Sequence, residues 1–339
     1  MDLENVIKKI ETFSLLSGPA GNENEISDCF VSTVEPFSKS LYVDNLNQVI
    51  VNQFSTDEKK RILVSAHMDE IGFVVKNIQQ NGLIRLSPIG SIDVSRCCNH
   101  LFRLTTKGTG KYFVGMINSI SNVDIKNINN LYFDLNMTYD EVLKNGISIG
   151  DYIVPYSEFK IFNHNIFGKA LDNRIGLGIL AYLIEYLNEN KPKLSNSEVC
   201  FAATCSEEFG LYGASTLANS LFPDIHINID CVPVSEMPED QIFVKMGNGV
   251  VIGIKCGSHL SDLKLVERFE EVCKSKNIIY QKGVFDFGTT DSQQFKRKGC
   301  KTLDLYIPIK CMHSSISVCQ INDISMSLKA IIYFLLELL

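Results

Sequence analysis

Apolar, strand-like runs in this chain end repeatedly at histidine or carboxylate residues, and this pattern restricts the fold more than any other feature of the sequence. In an open α/β sheet, ligands bind in the crevice outside the carboxyl ends of the strands. We therefore expect residues that are far apart in sequence to meet at one place. The runs are 62–66 before His67, 199–205 before Glu207 and Glu208, 225–229 before Asp230, and 303–309 before His313.

The segment 168–176 adds Asp172, which lies between a strand-like lead-in and an amphipathic helical pattern. The whole set then contains two histidines and several carboxylates, and it needs no thiolate. Mixed imidazole and carboxylate ligation suits zinc, cobalt or manganese. One shared carboxylate with two ligands on each side suits a hydrolytic site with two metals.

Each of these residues also has an ordinary structural explanation. Asp172 could cap a helix or interact with its dipole. Glu207 and Glu208 could be acids of a first helical turn, and the two histidines could be hydrogen-bonded core residues. Because five such positions occur together at strand ends, a shared metal site explains the set better than five separate roles.

Two different structural patterns divide the chain. Residues 72–156 contain short alternating runs separated by turn motifs such as Asn81-Gly82, which predicts a small β-barrel or sandwich. After Asp172, strand-like and helical patterns alternate, which is typical of an α/β domain. We predict a catalytic domain formed by residues 1–70 and 164–339, with a β-rich domain inserted at 71–163.

The composition excludes several classes of protein. The 339 residues are 45% hydrophobic and 21% charged, with a formal charge of −7, so disorder is excluded and no basic stripe suggests a nucleic-acid partner. The apolar segment 327–339 is shorter than the roughly 20 residues of a membrane span. With no signal peptide evident, the eleven cysteines are expected to be reduced in a cytoplasmic protein.

Other chemical motifs are missing from the sequence. It has no phosphate-binding Gly-x-x-x-x-Gly-Lys loop, no dinucleotide-binding Gly-x-Gly-x-x-Gly run and no Gly-x-Ser-x-Gly nucleophile elbow. We therefore predict no cofactor-binding residues apart from the metal ligands. Four histidines outside the pattern are interpreted as structural or surface residues, namely His100, His164, His226 and His259.

With these residues identified, the chain resembles the M42 family of metallo-aminopeptidases, which includes glutamyl and leucyl aminopeptidases and relatives labelled endoglucanase. The resemblance covers essentially the whole length. It rests on segments that occur in the family's order, namely 65–72, 168–176, 206–214, the strand end at Asp230, 288–291 and 307–314.

The resemblance implies a ligand set for two divalent metal ions, with zinc expected first and cobalt or manganese as alternatives. Asp172 would bridge the two ions. His67 and Asp230 would complete one site, and Glu208 and His313 would complete the other.

The resemblance also implies catalytic roles, with Glu207 as the general base and Asp69 as the partner that fixes the tautomer of His67. The expected fold is a phosphorylase/hydrolase-like mixed-sheet catalytic domain with an inserted β-domain that makes dimer contacts in assemblies up to a dodecamer. Two positions depart from the family's usual pattern. Asn173 replaces a second aspartate, and Ser91 replaces a glycine of a Gly-Gly pair.

The expected activity is removal of the amino-terminal residue from short peptides. Two alternatives remain open at this point. One is a glycosidase, whose chemistry usually needs two carboxyl groups and no metal. The other is an oligomeric binding protein that keeps the fold without turnover.

Overall fold

The computed structural model describes residues 1–52, 54, 59–120, 124–190, 197–234 and 243–339. The strands in these ranges are β1 (Leu41–Val43), β2 (Val49–Val51), β3 (Lys60–His67), β4 (Gly72–Ile78), β5 (Ile84–Ile89), β6 (Leu101–Thr105), β7 (Tyr112–Ser119), β8 (Leu131–Asp134), β9 (Tyr152–Pro155), β10 (Lys160–Phe162), β11 (Asn165–Gly168), β12 (Ser197–Thr204), β13 (Ile225–Pro233), β14 (Val250–Cys256), β15 (His259–Leu260), β16 (Tyr280–Phe285), β17 (Lys301–Lys310) and β18 (Ser317–Gln320).

The same ranges contain α-helices that mostly alternate with the strands from β11 onward. They are α1 (Leu3–Leu15), α2 (Asn24–Val34), α3 (Tyr139–Lys144), α4 (Leu171–Asn190), α5 (Tyr212–Ser220), α6 (Leu263–Ser275), α7 (Ser292–Lys296) and α8 (Ile321–Leu338). None of these helices is long and apolar enough to cross a membrane. The apolar carboxyl-terminal segment instead forms α8, which packs into the main core.

A twelve-stranded mixed sheet forms the larger layer of the protein. Its main path runs β1-β2-β12-β3-β13-β17-β18-β11-β10, and β14 joins β15 and β16 to β17. The central strands β12, β3, β13 and β17 are parallel. Parallel sheets are covered on both faces, which explains the nearly continuous apolar runs in the sequence.

Residues of β3 show how the two faces of this sheet are covered. Ile62 and Val64 pack into the core that also contains residues of α1, α2 and α4, whereas Leu63 packs with residues of α5 and α7. Successive side chains of a strand point to opposite faces. Burial on both faces therefore places the carboxyl ends of the central strands at one edge of a rigid layer.

The second unit is a closed antiparallel barrel with the strand order β4-β5-β8-β7-β6-β9. Its own core includes Phe73 and Phe102, whose rings meet edge to face at 5.8 Å. The predicted fold class is confirmed, since an α/β unit with a mixed sheet accompanies a small β-barrel. The strand β10 lies within the range assigned to the insert, yet it pairs with β11 in the large sheet.

A buried histidine lies near the start of β13, among the parallel strands. The side chain of His226, in β13, is fully buried. Its Nε2 lies 2.7 Å from Ser65 Oγ, its Nδ1 lies 3.1 Å from Ser292 Oγ, and its ring stacks on Phe295 at 4.0 Å. The ring therefore has polar partners on both nitrogens without a charged group.

His226 should give the fold a pH dependence of definite sign. Burial, reinforced by nearby His259, lowers the pKa of His226 to about 3, whereas an unfolded histidine has a pKa of about 6.5. Its stabilising contribution is complete above the unfolded pKa and is lost as the pH falls towards the folded pKa. We expect this loss to be about 1.4 kcal/mol per pH unit across the middle of that interval.

The measurement is urea unfolding of chelator-treated protein as a function of pH. His226→Asn should lack this slope, so its free energy of unfolding should approach that of the unmodified protein as the pH falls. His164→Asn, at an exposed turn, serves as the control and should leave the slope unchanged. Parallel pH profiles for the unmodified protein and His226→Asn would contradict the prediction.

Candidate metal centre

The sheet brings the predicted ligands to the carboxyl ends of its parallel strands. His67 is the last residue of β3, Glu208 follows β12, and His313 follows β17. Asp172 lies in the first turn of α4, directly after the hairpin that ends with β11. All of these side chains face one edge of the sheet.

Asp230 reaches the same place from within a strand. The sequence pattern predicted a strand that ends just before this residue, but β13 continues to Pro233. The register of β13 against β3 pairs Asn228 with Ser65. Two residues further along each strand, Asp230 therefore stands beside His67.

The ligand atoms form two groups that share Asp172. In the first group, His67 Nε2 lies 3.3 Å from Asp172 Oδ1 and 3.4 Å from Asp230 Oδ1. In the second, His313 Nε2 lies 3.4 Å from Asp172 Oδ2 and 3.3 Å from Glu208 Oε2. Within each group of three residues, the ligand atoms all lie within 4.8 Å of one another. Asp172 thus offers a different oxygen to each group.

These groups fit divalent metal ions. Two ligands bound tetrahedrally to one ion at zinc-like bond lengths stand about 3.3 Å apart, which matches the nitrogen-to-oxygen distances in both groups. Asp172 Oδ1 and Glu208 Oε1 are also buried without a hydrogen-bond partner among the described residues. Because buried polar atoms are normally paired, these oxygens favour a metal-binding role.

Burial and mutual charge set the ionisation of the ligands. Burial lowers the pKa of His313, but Glu208 and Asp172 outweigh it and raise the pKa to about 11. Burial likewise opposes the charge on His67, whose pKa Asp172 and Asp230 nevertheless raise well above its usual value. Burial raises the pKa of Asp172, but the two histidines hold it well below its usual value. The site therefore attracts cationic charge strongly.

Asp69 contacts His67 and also the backbone of Glu207 and Glu208. It is fully buried, and its Oδ1 lies 3.5 Å from His67 Nδ1. The backbone N–H groups of Glu207 and Glu208 donate to its two carboxylate oxygens, each at 3.0 Å. The resemblance pointed only to its contact with His67. The structure shows that Asp69 also holds the backbone of the adjacent glutamates.

Glu207 belongs to neither ligand group in the described part of the chain. Its side chain is nevertheless buried beside the centre. Burial raises its pKa well above the usual value, with Asp230 and Asp291 adding to the effect and His67 opposing it. Asp291 itself is buried and accepts a hydrogen bond from Thr204 Oγ1 at 2.6 Å.

Sequence reasoning missed a buried ion cluster that joins two of the ligand segments. Lys169 Nζ lies 2.7 Å from both carboxylate oxygens of Glu70, and Arg174 Nη2 lies 3.4 Å from Glu70 Oε1. All three side chains are buried. Glu70 follows the His67 segment, and the two cations flank Asp172. The cluster therefore fixes Asp172 relative to His67.

Asn173, the residue that departs from the family's usual aspartate, uses both ends of its side-chain amide. Its Nδ2 donates to the backbone oxygen of Ile229 at 2.8 Å, and its Oδ1 accepts from the Gly176 N–H at 3.0 Å. An ionised carboxylate could not donate the first of these bonds. The amide therefore connects the start of α4 to the strand residue that precedes Asp230. The Asp172–Asn173 peptide bond is cis.

Comparison with known proteins agrees with this arrangement. Residues 47–329 match the M42 glutamyl aminopeptidase family. The chain belongs to the M42 peptidase family, whose members are metal-dependent aminopeptidases, and the predicted family resemblance is confirmed.

Individual relatives extend over nearly the whole chain. A putative aminopeptidase of Acetivibrio thermocellus is 28% identical over 98% of this chain and 99% of its own length. The structure of aminopeptidase APDkam598 from Desulfurococcus kamchatkensis aligns with a TM-score of 0.92 at 25% identity, covering 99% of this chain and 95% of that one. The Pyrococcus horikoshii TET1 peptidase, described as assembling into a tetrahedron or a large octahedral shell, aligns with a TM-score of 0.87 at 27% identity over 97% and 98% of the two chains.

Removing the negative charge of the buried cluster should destabilise the fold. Glu70→Gln would leave the cations of Lys169 and Arg174 buried without their counter-charge, and we expect the free energy of unfolding to fall by about 3 to 5 kcal/mol. Urea unfolding measures this loss. Glu158→Gln, which removes an exposed partner of Lys160, is the control and should leave the unfolding midpoint unchanged. Equal midpoints for both variants would show that the cluster does not support the fold.

Proposed function

We propose that the protein is a two-metal aminopeptidase that removes the amino-terminal residue from short peptides. The observation that supports this most directly is Asp172, whose two oxygens face separate groups of ligands. His67 and Asp230 would hold one divalent ion, and Glu208 and His313 would hold the other. Zinc is the first expectation, since it accepts both imidazole and carboxylate ligands, and cobalt or manganese could replace it.

Bound metal ions would lower the pKa of a water molecule and polarise the scissile carbonyl group. In our proposal, a water oxygen would add to the carbonyl carbon as the carbon–nitrogen bond breaks, and a residue of this chain moves the proton. Glu207 takes the proton that the water loses and gives it to the departing amine nitrogen. Asp69 keeps Glu207 in place through the backbone N–H and orients His67.

The glycosidase alternative has less support. Glycosidases usually place two carboxyl groups on either side of a sugar and do not require metals. Here each group of carboxylates includes a histidine at a distance suited to sharing an ion. A non-catalytic binding role has no specific support either, because the candidate base Glu207 is present and buried beside the ligands.

We also propose that the barrel mediates dimer contacts in a homo-oligomer. Strand pairing places Leu101 opposite Met116 and Thr105 opposite Tyr112. On this face of β6 and β7, Arg103 lies opposite Val114, and four large apolar side chains around it are exposed, namely Leu101, Tyr112, Val114 and Met116. Exposed apolar strips of this kind often mark protein interfaces. The assembly described for the TET1 relative supports oligomers from a dimer upward.

The activity is tested with protein that has been stripped by a chelator and reloaded separately with zinc, cobalt or manganese. We expect hydrolysis of aminoacyl-p-nitroanilides to disappear with the metal and to return with it. The panel would also identify the preferred amino-terminal residue. Metal-loaded protein that releases no amino acid from any member of the panel, or sugar release that persists in chelator, would overturn the proposal.

Two variants separate the base from the ligands. Glu207→Gln should lower kcat by about 100- to 10,000-fold, because general acid-base catalysis contributes on that order, while the metal content stays unchanged. Asp172→Asn weakens the shared ligand and should reduce the metal content as well. Elemental analysis beside steady-state kinetics measures both effects. Loss of metal from Glu207→Gln would count against its assignment as the base.

The interface proposal predicts a change in assembly. Val114→Lys places a second positive charge opposite Arg103 and removes an exposed apolar side chain from this face, and we expect the molar mass by light scattering to fall towards that of a monomer. Asn77→Lys, on the exposed side of β4 across the barrel, is the matched control. An unchanged molar mass for Val114→Lys would place the subunit contacts elsewhere.

A further inference from the structure

Two buried carboxylates hold three successive backbone N–H groups at the turn that presents the candidate base. The N–H groups of Glu207 and Glu208 donate to Asp69. The N–H group of the preceding residue, Ser206, donates to Glu23 Oε1 at 3.1 Å. Asp69 belongs to the site already described. Glu23 is 183 residues away from Ser206 in sequence and has no role in that site so far.

One carboxylate oxygen of Glu23 accepts three hydrogen bonds from the described residues. Glu23 Oε1 lies 3.0 Å from the Gly21 nitrogen, 3.1 Å from the Ser206 nitrogen and 3.1 Å from Ser206 Oγ. The residue is only 2% exposed. A buried carboxylate is costly unless it is well paired. Two of the three donors belong to Ser206, so they hold this side chain against the turn at Ser206.

An ordinary helix-capping role does not account for this side chain. Glu23 occupies the N-cap position of α2, but its side chain makes no capping hydrogen bond. The side chain instead reaches out of its own segment to Ser206. Two of its three hydrogen bonds thus support the turn that follows β12, and the third holds the Gly21 N–H just before α2.

The conformation of Ser206 shows why this turn needs support. Its φ angle is +53°, in the left-handed region that residues with a Cβ rarely adopt. Such conformations persist only where surrounding contacts fix them. Glu23 binds both the backbone N–H and the hydroxyl of Ser206. The next two residues, Glu207 and Glu208, leave this turn towards the metal centre.

We propose that Glu23 is a positioning residue that acts through Ser206 to place Glu207 and Glu208 at the metal centre. This inference rests on the proposed two-metal function. Glu23 itself touches neither the ligands nor the reacting atoms. Loss of Glu23 displaces the base and weakens the binding of the ion held by Glu208 and His313. The ligands of the other ion, His67, Asp172 and Asp230, stay in place.

The test compares two replacements of Glu23 with different chemistry. Glu23→Met has a similar length and removes the acceptor oxygen, so Gly21 and Ser206 lose their partner. Glu23→Gln keeps an oxygen that can accept the same three hydrogen bonds. Glu25→Met is the matched control in the same helix, since Glu25 instead pairs with Arg103 of the barrel at 2.7 Å.

Zinc affinity for each of the two sites and steady-state kinetics provide the measurements. We expect Glu23→Met to bind the zinc ion held by Glu208 and His313 about 10- to 100-fold less tightly, the range typical when the support behind a metal ligand is lost. The kcat of this variant, measured with both sites loaded, should fall by a similar factor with little change in KM. Glu23→Gln should recover most of the affinity and kcat, and Glu25→Met should match the unmodified protein.

The outcomes distinguish this inference from the proposed function. Inactive unmodified protein would overturn the aminopeptidase assignment, whereas the zinc affinities would still test the role of Glu23. Normal binding of both ions together with a normal kcat in Glu23→Met would overturn the positioning role. Equal losses in Glu23→Met and Glu25→Met would also overturn it, because they would indicate a general effect on α2.

A second variant covers the case in which Glu23→Met does not fold. Glu23→Asp keeps the charge but withdraws the oxygen from Ser206 by about one carbon–carbon bond length, roughly 1.5 Å. We expect this variant to show the same selective loss of the zinc ion held by Glu208 and His313. Unmodified affinity at both zinc sites in Glu23→Asp would refute the proposal.

Discussion

The concentration of buried carboxylates at one end of the parallel strands is the constraint on which the rest of the structure depends. Asp69, Glu70, Asp172 and Asp230 are all buried there, and Glu207 lies beside them. Two carboxylates that are 4 Å apart repel each other by roughly 4 kcal/mol at an effective dielectric constant of 20. The fold must therefore bring compensating donors and cations to this edge.

The compensation differs from one carboxylate to the next, and the differences indicate function. Glu70 has protein cations, Lys169 and Arg174, so its charge is balanced within the fold. Asp69 has backbone N–H donors. Asp172 instead faces two histidines through an oxygen on each side and retains a buried oxygen without a hydrogen-bond partner in the described chain. Asp172 and Glu208 thus each combine a histidine neighbour with a buried oxygen that has no hydrogen-bond partner among the described residues, which sets these two proposed ligands apart from Asp69 and Glu70.

The sequence could predict the features that depend on local pattern. Strand ends place His67 and His313 at the same edge once the strands are parallel, and that inference needs no knowledge of the register. The sequence pattern could not predict the register of the strands. Asp230 was therefore predicted at the end of a strand that continues to Pro233. The short helix α3 was also missed, although Thr138 and Glu141 form a capping box whose spacing is visible in the sequence.

The sequence contains no local pattern that identifies residues whose partners are far away along the chain. Glu23 lies among polar residues near a turn, where the sequence provides no reason to expect burial or a contact with Ser206. The cluster of Glu70, Lys169 and Arg174 is similar, because its charges are separated by about a hundred residues. Such partners become recognisable only when the fold shows which charges are removed from water.

The turn before α2 contacts the barrel and also the turn that carries the candidate base Glu207. Glu25 pairs with Arg103 of the barrel, and Tyr152 of the barrel donates to the backbone oxygen of Gly21 at 3.2 Å. Between these contacts, Glu23 binds Ser206 beside the candidate base. The same few residues therefore contact the barrel on one side and the catalytic turn on the other. Because Glu23 reaches Ser206 while Gly21 and Glu25 contact the barrel, different residues of one short segment support the catalytic turn and join the two units.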